Sequence, residues 1–132
     1  MKPTPKTGYA RVWAALFYSL NGLRLAVRNE AAFRQELVLF TVLLVILFFL
    51  PLSTLFKGML FFASTIVLIT ELLNAAVESV VDSVAPEYHV LAKQAKDLGS
   101  AAVLVSLVLA AVLWLLAVYQ IVFEGAAQAN IV

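Results

Sequence analysis

The sequence predicts an all-α membrane protein with three transmembrane helices and an N-terminal amphipathic surface helix in each subunit. Hydrophobic residues make up 64% of the 132 and charged residues 13%, whereas a soluble domain is about half apolar and a quarter charged. Three apolar stretches follow one another after residue 30, separated by short polar segments. The stretch before them has apolar residues at helical spacing on one side only. The length suits one small domain spanning 1–132.

Each element can be justified in order. Across Tyr9–Arg28, the residues Tyr9, Val12, Trp13, Leu16, Leu20, Leu23 and Val27 occupy an arc of about 100°, with Arg11 and Tyr18 opposite. Such a helix (9–28) is expected to lie on the inner membrane surface. The run Leu37–Leu50 alone has 14 residues, about 21 Å of helix against a hydrocarbon core of about 30 Å. Starting instead at Ala31 gives a span over 31–50 and draws Arg34, Gln35 and Glu36 into its first turns, where Arg34 can snorkel. Pro51 and Ser53 mark the turn. The second span, 55–82, runs past Glu71 and extends into the cytoplasm. The third, 98–123, has 26 residues without a charge, with Trp114 and Tyr119 in its distal half. Between the last two lies PEYHVLAKQAKDLGS, read as a polar connection in which Pro86 suits a helix start and Asp97 or Ser100 caps the third span.

Positive charge orients the chain. Lys2, Lys6, Arg11, Arg24, Arg28 and Arg34 precede or open the first span, and Lys93 and Lys96 lie between the second and third. The first turn has only Lys57, and the tail has none. The positive-inside rule then places the N-terminus and the second connection in the cytoplasm and the C-terminus outside. No cleavable signal peptide is visible, so internal spans are expected to direct insertion.

Several chemistries are excluded. Without cysteine there is no disulfide, thiolate metal site or cysteine nucleophile. A single histidine, His89, rules out a multi-histidine metal site within one subunit. The five glycines form neither a P-loop nor a kinase glycine-rich loop. Any phosphate binding must use side chains and metal. A net charge of +1 carries no nucleic-acid signature, and no nucleic-acid partner is expected.

The chemistry concentrates on one stripe. Glu71, Glu78 and Asp82 fall within about 20° of one line down a helix, with Asn74 about 60° away. Carboxylates are costly in hydrocarbon and usually face a bundle interior or a cavity when they occur there. If the second span enters the core near Leu55, about 30 Å is used up near residue 74. Glu71 then sits just inside the cytoplasmic edge, with Glu78 about 10 Å nearer water. Partial desolvation suits Glu71 to general-base work. The outer carboxylates suit Mg²⁺, which takes one or two carboxylates and keeps water and phosphate ligands.

Glu30 follows Asn29 at the membrane edge of the first span, in the depth zone of Glu78. Two glutamates from neighbouring helices could share a magnesium ion. Alternatively, Asn29 caps a helix and Glu30 complements its dipole. Lys96 could meet a phosphate, whereas Lys93 reads as a membrane-flanking lysine and His89 alone as solvated.

The segments NEAAFRQE (29–36), ELLNAAVESVVD (71–82) and EYHVLAKQAKDLGSAAVL (87–104) closely resemble the bacterial integral-membrane diacylglycerol kinase family, in register from about Arg11 to Ala111. The resemblance implies a homotrimeric inner-membrane kinase with active sites between subunits. It also implies phosphorylation of diacylglycerol to phosphatidic acid with ATP and Mg²⁺. Glu71 resembles the catalytic base, and Glu30 and Glu78 the metal ligands. Arg11, Tyr18, Glu30, Glu78, Glu87, His89, Lys96 and Asp97 resemble the nucleotide-contacting set. Ala31, Phe33, Arg34, Gln35, Glu71 and Ser100 match the lipid site, and Asn74 and Asp82 supporting positions. Ser83 and Gln94 depart from the basic residues of the Gram-negative type. PEYHVLAK is closer to the branch that phosphorylates undecaprenol, while NEAAFRQE and DLGSAAVL favour diacylglycerol.

Two other classes compete with the kinase reading. An intramembrane glutamate also suits a small oligomeric proton-coupled transporter, but no ionisable residue lies in the third span to complete a path. The stripe could also simply hold helices together. Ala75, Ala76, Gly99, Ala101 and Ala102 would permit the close helix contact that any of these readings requires.

Overall fold

The computed structural model describes residues 8–84 and 89–124. Four helices follow in order: α1 (Tyr9–Asn29), α2 (Ala31–Phe49), α3 (Thr54–Val84) and α4 (Val90–Tyr119), the last running into a π-helical turn, Gln120–Glu124. There is no strand among the described residues. Three helices are long and apolar enough to cross a membrane: Ala31–Phe49, Thr54–Val84 and Val90–Phe123.

The corners explain where the helices stop. One residue, Glu30, separates α1 from α2, with φ −97° and ψ 111°. Its extended backbone breaks the helix while its N–H still donates to the Ala26 carbonyl at 2.9 Å. Between α2 and α3, Pro51 lacks the amide a helix needs, and Ser53 restarts the helix by accepting the Phe56 N–H on its Oγ at 3.2 Å. The α2 helix has 19 residues, about 28 Å, matching the hydrocarbon core. The 31 residues of α3 make about 46 Å, so α3 must project beyond a core of about 30 Å.

The last helix begins earlier than expected. Helix α4 starts at Val90, so Lys93 to Ser100 are helical rather than part of a connection. Its cap is neither Asp97 nor Ser100: His89 accepts the Leu91 N–H at 3.2 Å on Nδ1. The run VLAKQAK contains strong helix formers and no breaker, so the helix extends back until His89 caps it.

The antiparallel pair α3 and α4 makes the most extensive interface, and α2 packs on α3. Two small clusters form the core: Leu47, Leu60 and Ala117, and Ala63, Val67 and Ala110. Most other large apolar side chains face outward, the reverse of a soluble bundle and the arrangement that lipid contact favours.

Polar contacts along the α3–α4 seam fix its register. Trp114 Nε1 donates to Ser64 Oγ at 3.2 Å, and the hydroxyls of Thr70 and Ser106 pair at 2.8 Å. Asn74 lies against Gly99, and Lys96 meets Asp82 at 2.6 Å. Each step forward along α3 is matched by a step back along α4, as an antiparallel pair requires. From Ser64 to Asp82 this polar ladder climbs α3 by about 27 Å.

Candidate functional site

The stripe falls on α3 as its spacing requires, and the structure divides it. Glu71 is only 6% exposed, so its carboxylate is largely removed from solvent by packing within a single subunit. Glu30, Glu36 and Glu78 are all close enough to repel it. Glu30 arrives from the α1–α2 corner and Glu36 from the second turn of α2. Carboxylates gathered in this way call for a counter-charge, which a cation or a proton supplies.

One turn along α3, Asn74 Nδ2 donates to Glu78 Oε1 at 3.0 Å. The other face of the Asn74 amide is turned toward Gly99 of α4, where its Oδ1 is buried without a partner among the described residues. A Cβ on Gly99 would overlap that oxygen. The glycine therefore sets how closely α4 approaches α3, and it holds Asn74 in place to orient Glu78. Gly99→Ala is expected to force Asn74 away, at an overpacking cost of about 1–3 kcal/mol, and to disturb its hydrogen bond to Glu78. Thermal unfolding in detergent micelles checks this; unchanged stability would contradict it.

Asp82 turns toward α4. Its carboxylate accepts from Lys96 Nζ at 2.6 Å, with both side chains partly exposed. The lysine is thus held on the α3 side, on the turns beyond Glu78. Lys93 and Asp97 pair with each other at 2.5 Å on the exposed side of α4; such a pair adds little to stability.

The remaining expected site residues are placed as follows. Arg11 and Tyr18 are exposed on α1, which touches chiefly α2. His89 caps α4. Ala31, Gln35 and Ser100 are exposed, while Phe33 is buried within the subunit at 3% exposure. The Arg34 guanidinium folds back onto α1, donating to the Val27 and Arg28 carbonyls at 3.3 and 3.1 Å. Glu87 lies outside the described residues.

Two clefts flank the stripe. One, about 630 Å³, opens between α1 and α3 with Asn29 and Glu30 on one wall and Leu72, Ala76 and Ser79 on the other. The second, about 60 Å³, lies between α2, α3 and α4. It is apolar apart from Glu36 and Ser64, and Glu36 Oε2 is buried without a partner among the described residues. Sequence reasoning passed over Glu36; a carboxylate inside the first span was the available signal.

The donor set can be tested against a magnesium ion. Among the described residues, no three of His, Cys, Asp and Glu gather as a metal-ligand cluster. Mg²⁺ needs only one or two carboxylates when phosphates and water complete its shell. Glu30 makes no side-chain cap to α2, so its carboxylate is not used in capping. Glu78 has one oxygen on Asn74 and a second to offer. Both are hard oxygen donors, the kind of ligand that the ion takes.

Comparison with known proteins adds an independent finding. The profile of the family described as prokaryotic diacylglycerol kinase matches residues 17–118. The diacylglycerol kinase of Escherichia coli (strain K12) is 44% identical over 108 residues, covering 82% of this chain and 88% of that one. That of Pseudomonas aeruginosa is 44% identical over 117 residues, covering 86% and 95%. The Helicobacter pylori (strain ATCC 700392 / 26695) diacylglycerol kinase is 38% identical over 120 residues, covering 89% and 94%.

Proposed function

The chain belongs to the prokaryotic diacylglycerol kinase family, and we propose that it phosphorylates diacylglycerol to phosphatidic acid with ATP at the cytoplasmic face of a bacterial inner membrane. The observation that carries this reading is Glu71. It is a carboxylate buried within a membrane-spanning helix, one helical turn from the ordered Asn74–Glu78 pair.

In this reading Glu71 accepts the proton of the lipid hydroxyl. The hydroxyl oxygen bonds to the γ-phosphorus, the bond from that phosphorus to the bridging oxygen breaks, and ADP leaves with the electron pair. Glu30 and Glu78 would hold Mg²⁺, which when bound with ATP neutralises charge on the phosphates. Lys96 supplies positive charge to the transferred group, and Asp82 holds the ammonium ready on the α3 side. Asn74 keeps Glu78 turned to its task. Arg11, Tyr18, Glu87, His89 and Asp97 complete the nucleotide contacts, and the exposed Ala31, Gln35 and Ser100 the lipid site.

Arg11 and Tyr18 stand on α1, away from the α3–α4 pair of their own subunit. A homotrimer with sites formed between subunits accounts for their participation, and α1 then lies along the membrane surface. The family and the names of its relatives favour diacylglycerol over undecaprenol as acceptor, and phosphoryl transfer over proton-coupled transport.

The test offers purified protein in mixed micelles γ-labelled ATP with diacylglycerol and undecaprenol side by side. Label is expected in phosphatidic acid and only in the presence of Mg²⁺. Label confined to undecaprenyl phosphate would move the chain to the other acceptor, and label in neither lipid would overturn the kinase reading.

A further inference from the structure

We propose that Arg34 is a positioning residue. It clamps the one-residue corner between α1 and α2, fixing where the Glu30 side chain departs. The α1 helix ends at the membrane edge, where carbonyls without partners are costly. Glu30 N–H takes the Ala26 carbonyl, and the Arg34 guanidinium takes those of Val27 and Arg28. The backbone N–H of Arg34 donates to the Glu30 carbonyl at 3.2 Å. One residue is thus bonded to both sides of the corner, and its charge lies at the negative end of the α1 dipole.

The corner needs such a clamp. Two helices meet with a single extended residue between them, so the torsions of Glu30 alone set their angle. Helix α1 touches chiefly α2, and only sparsely, so among the described residues little other packing fixes its direction. The same device recurs at the next corner, where Lys57 Nζ donates to the Phe48 carbonyl at 3.2 Å. Arg34 and Lys57 each stand four residues after the position that opens their helix, Glu30 and Ser53. No site residue sits at the Lys57 corner, so it provides an internal control.

The functional part of this inference rests on Glu30 serving the reaction as proposed above, and the experiment separates the two. Full-length Arg34→Leu, Arg34→Lys, Lys57→Leu and Glu30→Gln are compared in micelles by amide hydrogen exchange at Glu30, kcat and lipid KM. Arg34→Leu is expected to accelerate exchange of the Glu30 amide by about tenfold or more. Its kcat should fall by about tenfold to a hundredfold, with lipid KM essentially unmoved. Arg34→Lys, whose ammonium still reaches a carbonyl, should recover part of both, and it carries the test if the leucine variant does not fold. Lys57→Leu should leave Glu30 exchange and kcat as in the wild type. Unchanged Glu30 exchange with a raised lipid KM in Arg34→Leu would make Arg34 a lipid contact and overturn the proposal. Faster exchange with unchanged kcat would overturn the positioning role. Wild-type kcat in Glu30→Gln would remove Glu30 from the chemistry, while the exchange measurement would still decide the clamp.

Discussion

Glu71→Gln is expected to fold, bind nucleotide and lose at least about a hundredfold of its phosphate-transfer rate, the scale of a lost general base. The substitution keeps shape and hydrogen-bonding capacity but removes the atom that accepts the proton. Stability should not suffer. Glu71 is buried, and a neutral amide is less costly to bury than a carboxylate. The expected pattern is therefore a large drop in kcat with little change in the KM for ATP or in thermal unfolding. Near-wild-type transfer by this variant would remove Glu71 from the base role.

Lys96→Met is expected to give the second large effect, a loss of about a hundredfold to a thousandfold in kcat. Methionine retains most of the apolar stem and removes the ammonium. The loss has two sources: the transferred phosphate loses a positive group, and Asp82 is left with an uncompensated negative charge beside it. The double variant Lys96→Met with Asp82→Asn separates them. If the repulsion from Asp82 contributes, the double variant is faster than Lys96→Met alone while still far below the wild type. Steady-state kinetics over a range of ATP concentrations measures both, and a wild-type kcat in Lys96→Met would remove the lysine from the reaction.

Much of the architecture was legible because a membrane imposes few solutions. The charge-free run Leu98–Phe123 and the apolar stretch after Ala31 required helices, and the period of Glu71, Glu78 and Asp82 placed them on one face. Gly99 was legible as a point of close approach, although not that it would meet Asn74. The start of α4 was misjudged because polar density resembles a loop. Lys93, Lys96 and Asp97 instead form the exposed first turns of a long helix capped by His89.

The pairings themselves were not legible. Asp82 and Lys96 lie on different helices, and sequence spacing cannot supply the register between two helices. The same holds for Thr70 with Ser106 and Ser64 with Trp114. Glu36 carries no site role in the sequence reading because it follows Arg34 and Gln35 and reads as the polar edge of a span. Only the packing of α2 on α3 reveals that it faces Glu71.

The central claim is that Glu71 removes the proton from a lipid hydroxyl while the neighbouring residues hold the nucleotide. A single-turnover experiment tests it most directly. Wild-type and Glu71→Gln proteins are saturated with labelled ATP and Mg²⁺, mixed rapidly with diacylglycerol micelles, and followed for bound ATP and labelled phosphatidic acid in the same samples. The account predicts rapid conversion by the wild type and ATP that stays bound but unconverted in the variant. Equal single-turnover rates in the two proteins would contradict it.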